Sequence, residues 1–200
     1  MKSKIKAGFT LIELLTVISI IAVLTALSLS GAGFIQKKGA RSRAQSEIKA
    51  LEAACESYKA DNGSYPMATG TTDQVAATRN QVAANGDYNP TLPIYKNSSL
   101  YLYGQLSGDT AYTGQVATGA RVYMEFKPSM LGITTTGSPI SATNKVTSIN
   151  DPFGFSYGYS TASTTTSGVD GYNPTFDLWS TAGTTTPATS GTQLKWITNW

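Results

Sequence analysis

The chain has 200 residues, with 15 Lys+Arg against 12 Asp+Glu, a single cysteine and no histidine. Without histidine, neither a Ser-His-Asp nor a Cys-His pair can form, nor can a His/Cys zinc site, and Cys55 alone cannot close an intramolecular disulfide. Lys2, Lys4 and Lys6 supply the whole formal excess of +3, so the remaining charges cancel and no broad basic field is left for holding nucleic acid.

The chain opens MKSKIKAG and continues FTLIELLTVISIIAVLTALSL, so that Glu13 is the sole charge among the 21 residues from Phe9 to Leu29. A helix needs about 20 apolar residues to cross a bilayer core. The run has no polar face between Leu14 and Leu24, which argues against a soluble core helix and against a surface amphipathic helix. Ala26 and Ser28 imitate a secretory cleavage site, but a spanning segment behind three lysines is the better reading. Those lysines predict a single pass with a cytoplasmic N-terminus and the C-terminal part sent across the membrane. A carboxylate inside such a segment costs about 2.5 kcal/mol or more near its centre, so Glu13 is expected to have a partner and a function.

Gly8-Phe9-Thr10-Leu11-Ile12-Glu13-Leu14-Leu15 resembles the processing motif of type IV prepilins and type II secretion pseudopilins. The resemblance implies that a prepilin peptidase cuts after Gly8 and methylates the new N-terminus at Phe9. It also implies that Glu13 serves assembly, neutralising the freed amino group of a neighbouring subunit. Such a pair would offset two burial costs and set the register between subunits. Pairing of Phe9 with Glu13 inside one chain is the open alternative. The implied partners are further copies in a homo-oligomeric filament, other pseudopilins, the prepilin peptidase and an inner-membrane assembly platform.

Beyond Leu29 no proline interrupts the chain before Pro66, which predicts one helix from Thr10 to Asp61, about 78 Å long. Its first half is apolar all round and its second half amphipathic. Ile48, Leu51, Cys55 and Tyr58 form an apolar stripe, Cys55 being read as a small buried hydrophobe. Glu47, Lys49, Glu52, Glu56 and Lys59 lie off that stripe, with Glu56 and Lys59 as an i,i+3 pair. Asn62-Gly63 supplies the C-cap. Ser30-Gly31-Ala32-Gly33 is a weak point, either loosening on polymerisation or serving close helix packing.

The remainder reads as an α+β head, a small antiparallel sheet packed on the long helix. Expected elements are a short helix over Gln74 to Ala84, a helix capped by Ser98 with Leu102 and Leu106 on one face, and a strand over Arg121 to Phe126. A turn and strand through Asp151 to Thr161, a strand in NPTFDLWSTAG and an edge strand in KWITNW follow. Ser160 to Ser167 and Thr181 to Thr192 read as exposed loops. The domain organisation is thus a leader (1–8), an assembly helix (9–30), an amphipathic continuation (31–63) and a head (64–200).

Ala50 to Pro66, Asp151-Pro152-Phe153-Gly154 with Tyr157-Gly158-Tyr159, and Phe176 to Ser180 are similar to stretches of the major pseudopilin of type II secretion. That family holds calcium in an acidic loop, whose counterpart here, Ala182 to Thr186, has no acids. No cofactor is expected, with calcium at Asp151, Asp170 and Asp177 disfavoured. The implied role is a structural, non-enzymatic subunit of a secretion filament. The alternatives are a surface type IV pilin for adhesion, motility or DNA uptake, and an anchored binding module using Tyr157, Tyr159, Trp179, Trp196 and Trp200.

Overall fold

The computed structural model describes residues 9–68, 70–73, 89–134, 145–165, 171–185 and 195–200, with side chains 27–32 and 165 excepted. The chain divides into two compact units, Met1–Gly39 and Ala40–Trp200. Helix α1, Leu11–Asn62, contributes to both. It matches the expected bounds to one residue and stays helical through Gly31 and Gly33.

In the first unit every described side chain of α1 is exposed, including Leu11, Ile12, Leu14, Leu15 and Ile18. The cause is visible in the sequence, where apolar residues surround the helix and present no single stripe for a core to cover. Among the described residues no helix is long and apolar enough to cross a membrane. The expected Phe9 to Leu29 span lies partly outside the described side chains, which break off at Ala26.

In the second unit α1 has a stripe, and it is buried. Ala44, Ile48, Leu51, Ala54 and Cys55 are at most 5 % exposed and pack with Leu102, Leu106, Ile149, Tyr157, Tyr159, Phe176, Leu178 and Ile197. The helix ends as expected: Gly63 adopts φ +79° and its N–H bonds the Lys59 carbonyl at 2.8 Å. The expected Glu56–Lys59 pair is replaced by a relay, in which Lys59 donates to the Tyr65 hydroxyl (3.2 Å) and that hydroxyl donates to Glu56 (2.9 Å). The i,i+3 ion pair on this face joins Lys49 and Glu52 at 2.9 Å.

Helix α2 runs Pro93–Ser107, six residues longer at its start than the Ser98 cap predicts. Proline at its first position needs no N–H and already holds a helical φ, so initiation falls to Pro93. Ser98 and Ser99 are buried inside the helix and dock it. The Ser98 hydroxyl donates to the Tyr159 carbonyl. Ser99 accepts from the Ile149 N–H (2.6 Å) and lies 3.2 Å from the Ile149 carbonyl. Leu102 and Leu106 are both fully buried on one face, as their spacing requires.

Two small antiparallel sheets complete the head. Strand β1 (Leu131–Ile133) pairs with β2 (Val146–Ile149). Strand β3 (Gly158–Ser160) pairs with β4 (Asp177–Ser180), which pairs in turn with β5 (Ile197–Thr198) at the sheet edge. Arg121 to Phe126 forms no strand. The N–H groups of Tyr123 and Met124 both turn to the Leu106 carbonyl, at 2.8 and 3.1 Å, so the segment has no ladder partner. It instead covers the end of α1, through Arg121–Asp61 (3.2 Å) and an edge-on Tyr58–Tyr123 contact. The Ser160 to Ser167 stretch is not an exposed loop at its start: Ser160, Thr161 and Ala162 are buried, and α3 (Ala162–Thr165) follows. Thr181 is buried likewise. The expected helix over Gln74 to Ala84 and the residues beyond Thr185 in the second Thr-rich stretch lie outside the described residues.

Candidate assembly site

Three residues carry the candidate site at the N-terminus of α1. Gly8 lies outside the described residues, Phe9 is 84 % exposed, and Glu13 sits in the first helical turn. Glu13 Oε2 accepts from both the Thr10 N–H (2.8 Å) and the Thr10 hydroxyl (2.7 Å), while that hydroxyl lies 3.3 Å from the Glu13 N–H. This is a reciprocal capping box, legible in the sequence as Thr10-x-x-Glu13. It orients the carboxylate toward the helix start, onto Thr10. Negative charge there also suits the positive end of the helix dipole. The acid therefore has a local role, and its position is fixed before any partner arrives.

Among the described residues the head shows no comparable constellation for chemistry. Its buried acids organise loops. Asp151 Oδ1 accepts the N–H groups of Phe153 (3.0 Å) and Phe155 (2.9 Å), and the Ser180 hydroxyl donates to Oδ2 at 2.5 Å. Asp151 thus caps its own turn, as its place before Pro152 suggests. Asp177 accepts from the N–H groups of Tyr172 (3.0 Å) and Asn173 (2.8 Å). Asp109 accepts from the Tyr103 hydroxyl and from the N–H of Gly114, at 3.0 and 2.6 Å. Calcium takes six to eight oxygens, several of them carboxylate. Among the described residues no three His, Cys, Asp or Glu side chains gather in metal-holding range, and Asp170 lies outside them. The donors crowding Asp151 and Asp177 present hydrogens where a cation would need oxygens.

The aromatic residues considered for a binding platform are mostly interior. Tyr157, Tyr159 and Trp179 are fully buried and Trp196 is 6 % exposed. The Tyr157 hydroxyl donates to Glu47 at 2.7 Å and the Tyr159 hydroxyl to the Pro66 carbonyl at 2.7 Å. Trp200, stacked on Tyr172, alone keeps a substantial exposed face. Tyr157, Tyr159, Trp179 and Trp196 are thus core, which leaves Trp200 as the one exposed ring of the five. Cys55 is buried as expected, and burial pushes its thiol far above the ordinary range, leaving it unreactive.

Among known proteins, the likeness of this chain includes the segment that holds Gly8, Phe9 and Glu13. The prokaryotic N-terminal methylation motif matches residues 3–29. The chain thus carries a prepilin-type motif at its N-terminus, and its long helix with small antiparallel sheets is consistent with a pilin-like α+β fold. Its particular likeness is to type II secretion system core protein G. It is 38 % identical to that of Aeromonas hydrophila over 74 residues, 37 % of this chain and 49 % of the relative. To that of Escherichia coli K12 it is 43 % identical over 67 residues, 34 % of this chain and 43 % of the relative. To that of Klebsiella pneumoniae it is 40 % identical over 67 residues, 34 % and 45 % of the two chains. The matches span less than half the length of these relatives. No solved structure matches the chain.

Proposed function

We propose that this protein is a structural subunit of a type II secretion pseudopilus, processed after Gly8 and polymerised through α1 to drive protein export. The observation that carries the reading is a coincidence at one place. A Gly-Phe junction, a Thr10–Glu13 capping box and an all-round apolar helix follow one another within the methylation motif. The likeness to core protein G supports secretion over a surface pilus.

Each residue then has a role. A cut after Gly8 discards Lys2, Lys4 and Lys6 and keeps the apolar helix. The freed amino group at Phe9 is a cation at the membrane, and Glu13 of a neighbouring copy neutralises it. Thr10 holds that carboxylate in position. The subunit sits as a single pass in the inner membrane with its head in the periplasm. It works without a cofactor and does no chemistry of its own. Its partners are further copies, other pseudopilins, the prepilin peptidase and the inner-membrane assembly platform.

Intact mass of the membrane-extracted protein tests this. The expected species begins at N-methylated Phe9. Retention of Met1, or cleavage near Ala26 to Ser28, would overturn the reading.

A further inference from the structure

Past the apolar run, α1 carries a charge pattern that processing and polymerisation do not use. Between Glu13 and Glu47 there is no acid, but there are four cations, Lys37, Lys38, Arg41 and Arg43. All four fall within about 15 residues of Leu29, the range in which flanking charge influences topology. They outnumber the three leader lysines and lie on the opposite side of the run, so they oppose the orientation the leader favours. Topology therefore gives no reason to keep them.

Phe34 and Ile35, just before the lysines, are 74 % and 70 % exposed, and Lys37 and Lys38 are exposed as well. Neither ion pair among the described residues involves these lysines. Phe34, Lys37 and Lys38 stand at i, i+3 and i+4 and so share one helical face. Lys37 lies eight residues beyond Leu29, a rise of about 12 Å. Helical side chains lean back toward the N-terminus, which lowers the ammonium by several ångströms. That brings it to the headgroup layer, roughly 5–7 Å thick outside the hydrocarbon. Phe34 and Ile35 fall at the boundary below.

We propose that Phe34, Ile35, Lys37 and Lys38 form an interfacial belt that binds anionic phospholipid headgroups on the head side of the membrane and sets the depth of the subunit before assembly. The proposal rests on the reading of α1 as a membrane anchor. The sequence between Glu13 and Glu47 has no acid, and the apolar pair directly below the lysines matches a surface that is phosphate above and hydrocarbon beneath. A headgroup meets both demands. Cleavage after Gly8 removes the three lysines at the other end and leaves only the amino group of Phe9 there, so the mature helix carries more cations on its head side than on the other.

The test uses the full chain in mild detergent and in vesicles, with phosphatidylglycerol and phosphatidylcholine of matched acyl chains. Native mass spectrometry reads lipid adducts of the wild type and of the Lys37→Gln/Lys38→Gln double variant, while flotation reads insertion. The wild type is expected to float with both vesicle types. It should hold phosphatidylglycerol roughly 25-fold more tightly than the double variant, about fivefold per lysine. The preference should weaken as salt rises, and Lys37→Arg/Lys38→Arg should restore it. Equal phosphatidylglycerol retention with insertion intact would overturn the belt and leave the anchor standing. Failure to float with either vesicle would overturn the anchor and the belt together. Displacement of the adduct by inorganic phosphate would overturn the lipid assignment. So would loss of self-association in the double variant with adducts unchanged, which would place a second copy against these lysines.

Discussion

The two units use the same helix in opposite ways. From Leu11 to Gly39 every described side chain of α1 is exposed, whereas Ala44, Ile48, Leu51, Ala54 and Cys55 further along it are at most 5 % exposed. Both stretches are rich in apolar residues, so hydrophobicity alone does not separate them. Periodicity does. A stripe one face wide can be covered by a single head, whereas a helix apolar all round needs cover on every side. The second stretch finds its partner within the chain. The described side chains of the first, up to Ala26 and from Gly33 to Gly39, stay exposed.

One substitution made in both places sharpens this contrast. Leu51→Ala removes a fully buried side chain from the head core and is expected to cost about 2–5 kcal/mol in thermal or denaturant unfolding of the head. Leu15→Ala, at a position 52 % exposed, should leave head stability within about 0.5 kcal/mol. Comparable losses from both would mean that the first stretch is packed in the free chain, and the contrast would fail.

A smaller effect probes the head sheet. Gly158 lies against the Trp179 ring, and a Cβ there would stand 2.2 Å from Cε2. Gly158→Ala should therefore destabilise the head by about 1–3 kcal/mol through overpacking. Trp179→Phe, itself destabilising, should make the added methyl less costly. A double-mutant cycle with no coupling between the two would refute the contact.

The N-terminal half was readable because its signals are local. The Gly8-Phe9 junction, the acid at Glu13, the bounds of α1 and the Asn62-Gly63 cap each depend on residues a few positions apart. The head was readable only where the signal was equally local: the Asp151 turn, the strands ending in Ser160 and Ser180, and the edge strand at Ile197. Arg121 to Phe126 alternates like a strand, but alternation does not supply a neighbour, and its N–H groups went to Leu106 instead. Ser98 resembles a cap in sequence yet serves as a docking hydroxyl, because its partner, Tyr159, is 61 residues away. Strands β1 and β2, three and four residues long, are defined by pairing with each other and leave no mark in either segment alone.

The smallest expected effect concerns how the amphipathic half of α1 meets the sheet. Glu47 is half-buried on α1 and accepts a hydrogen bond from Tyr157 at 2.7 Å. Burial raises its pKa above the ordinary 4.5, and that effect outweighs the opposing pull of the Tyr157 hydroxyl and of Arg43. It borders an open groove of about 400 Å³ with Arg43, Glu125 and Lys127. A carboxyl whose pKa is raised on folding binds its proton more tightly in the folded state. Its contribution is then complete below the unfolded value and is lost as pH rises through the folded one. Wild type should accordingly lose stability relative to Glu47→Gln as pH climbs from about 4 toward neutrality, because glutamine has no proton to release. Unfolding curves of the two proteins at stepped pH and constant salt measure the difference. A wild type that gains on Glu47→Gln over that interval would show that Tyr157 and Arg43 stabilise the charged carboxylate more than burial penalises it. The joint between helix and sheet would then be an ionic contact and not a buried neutral one.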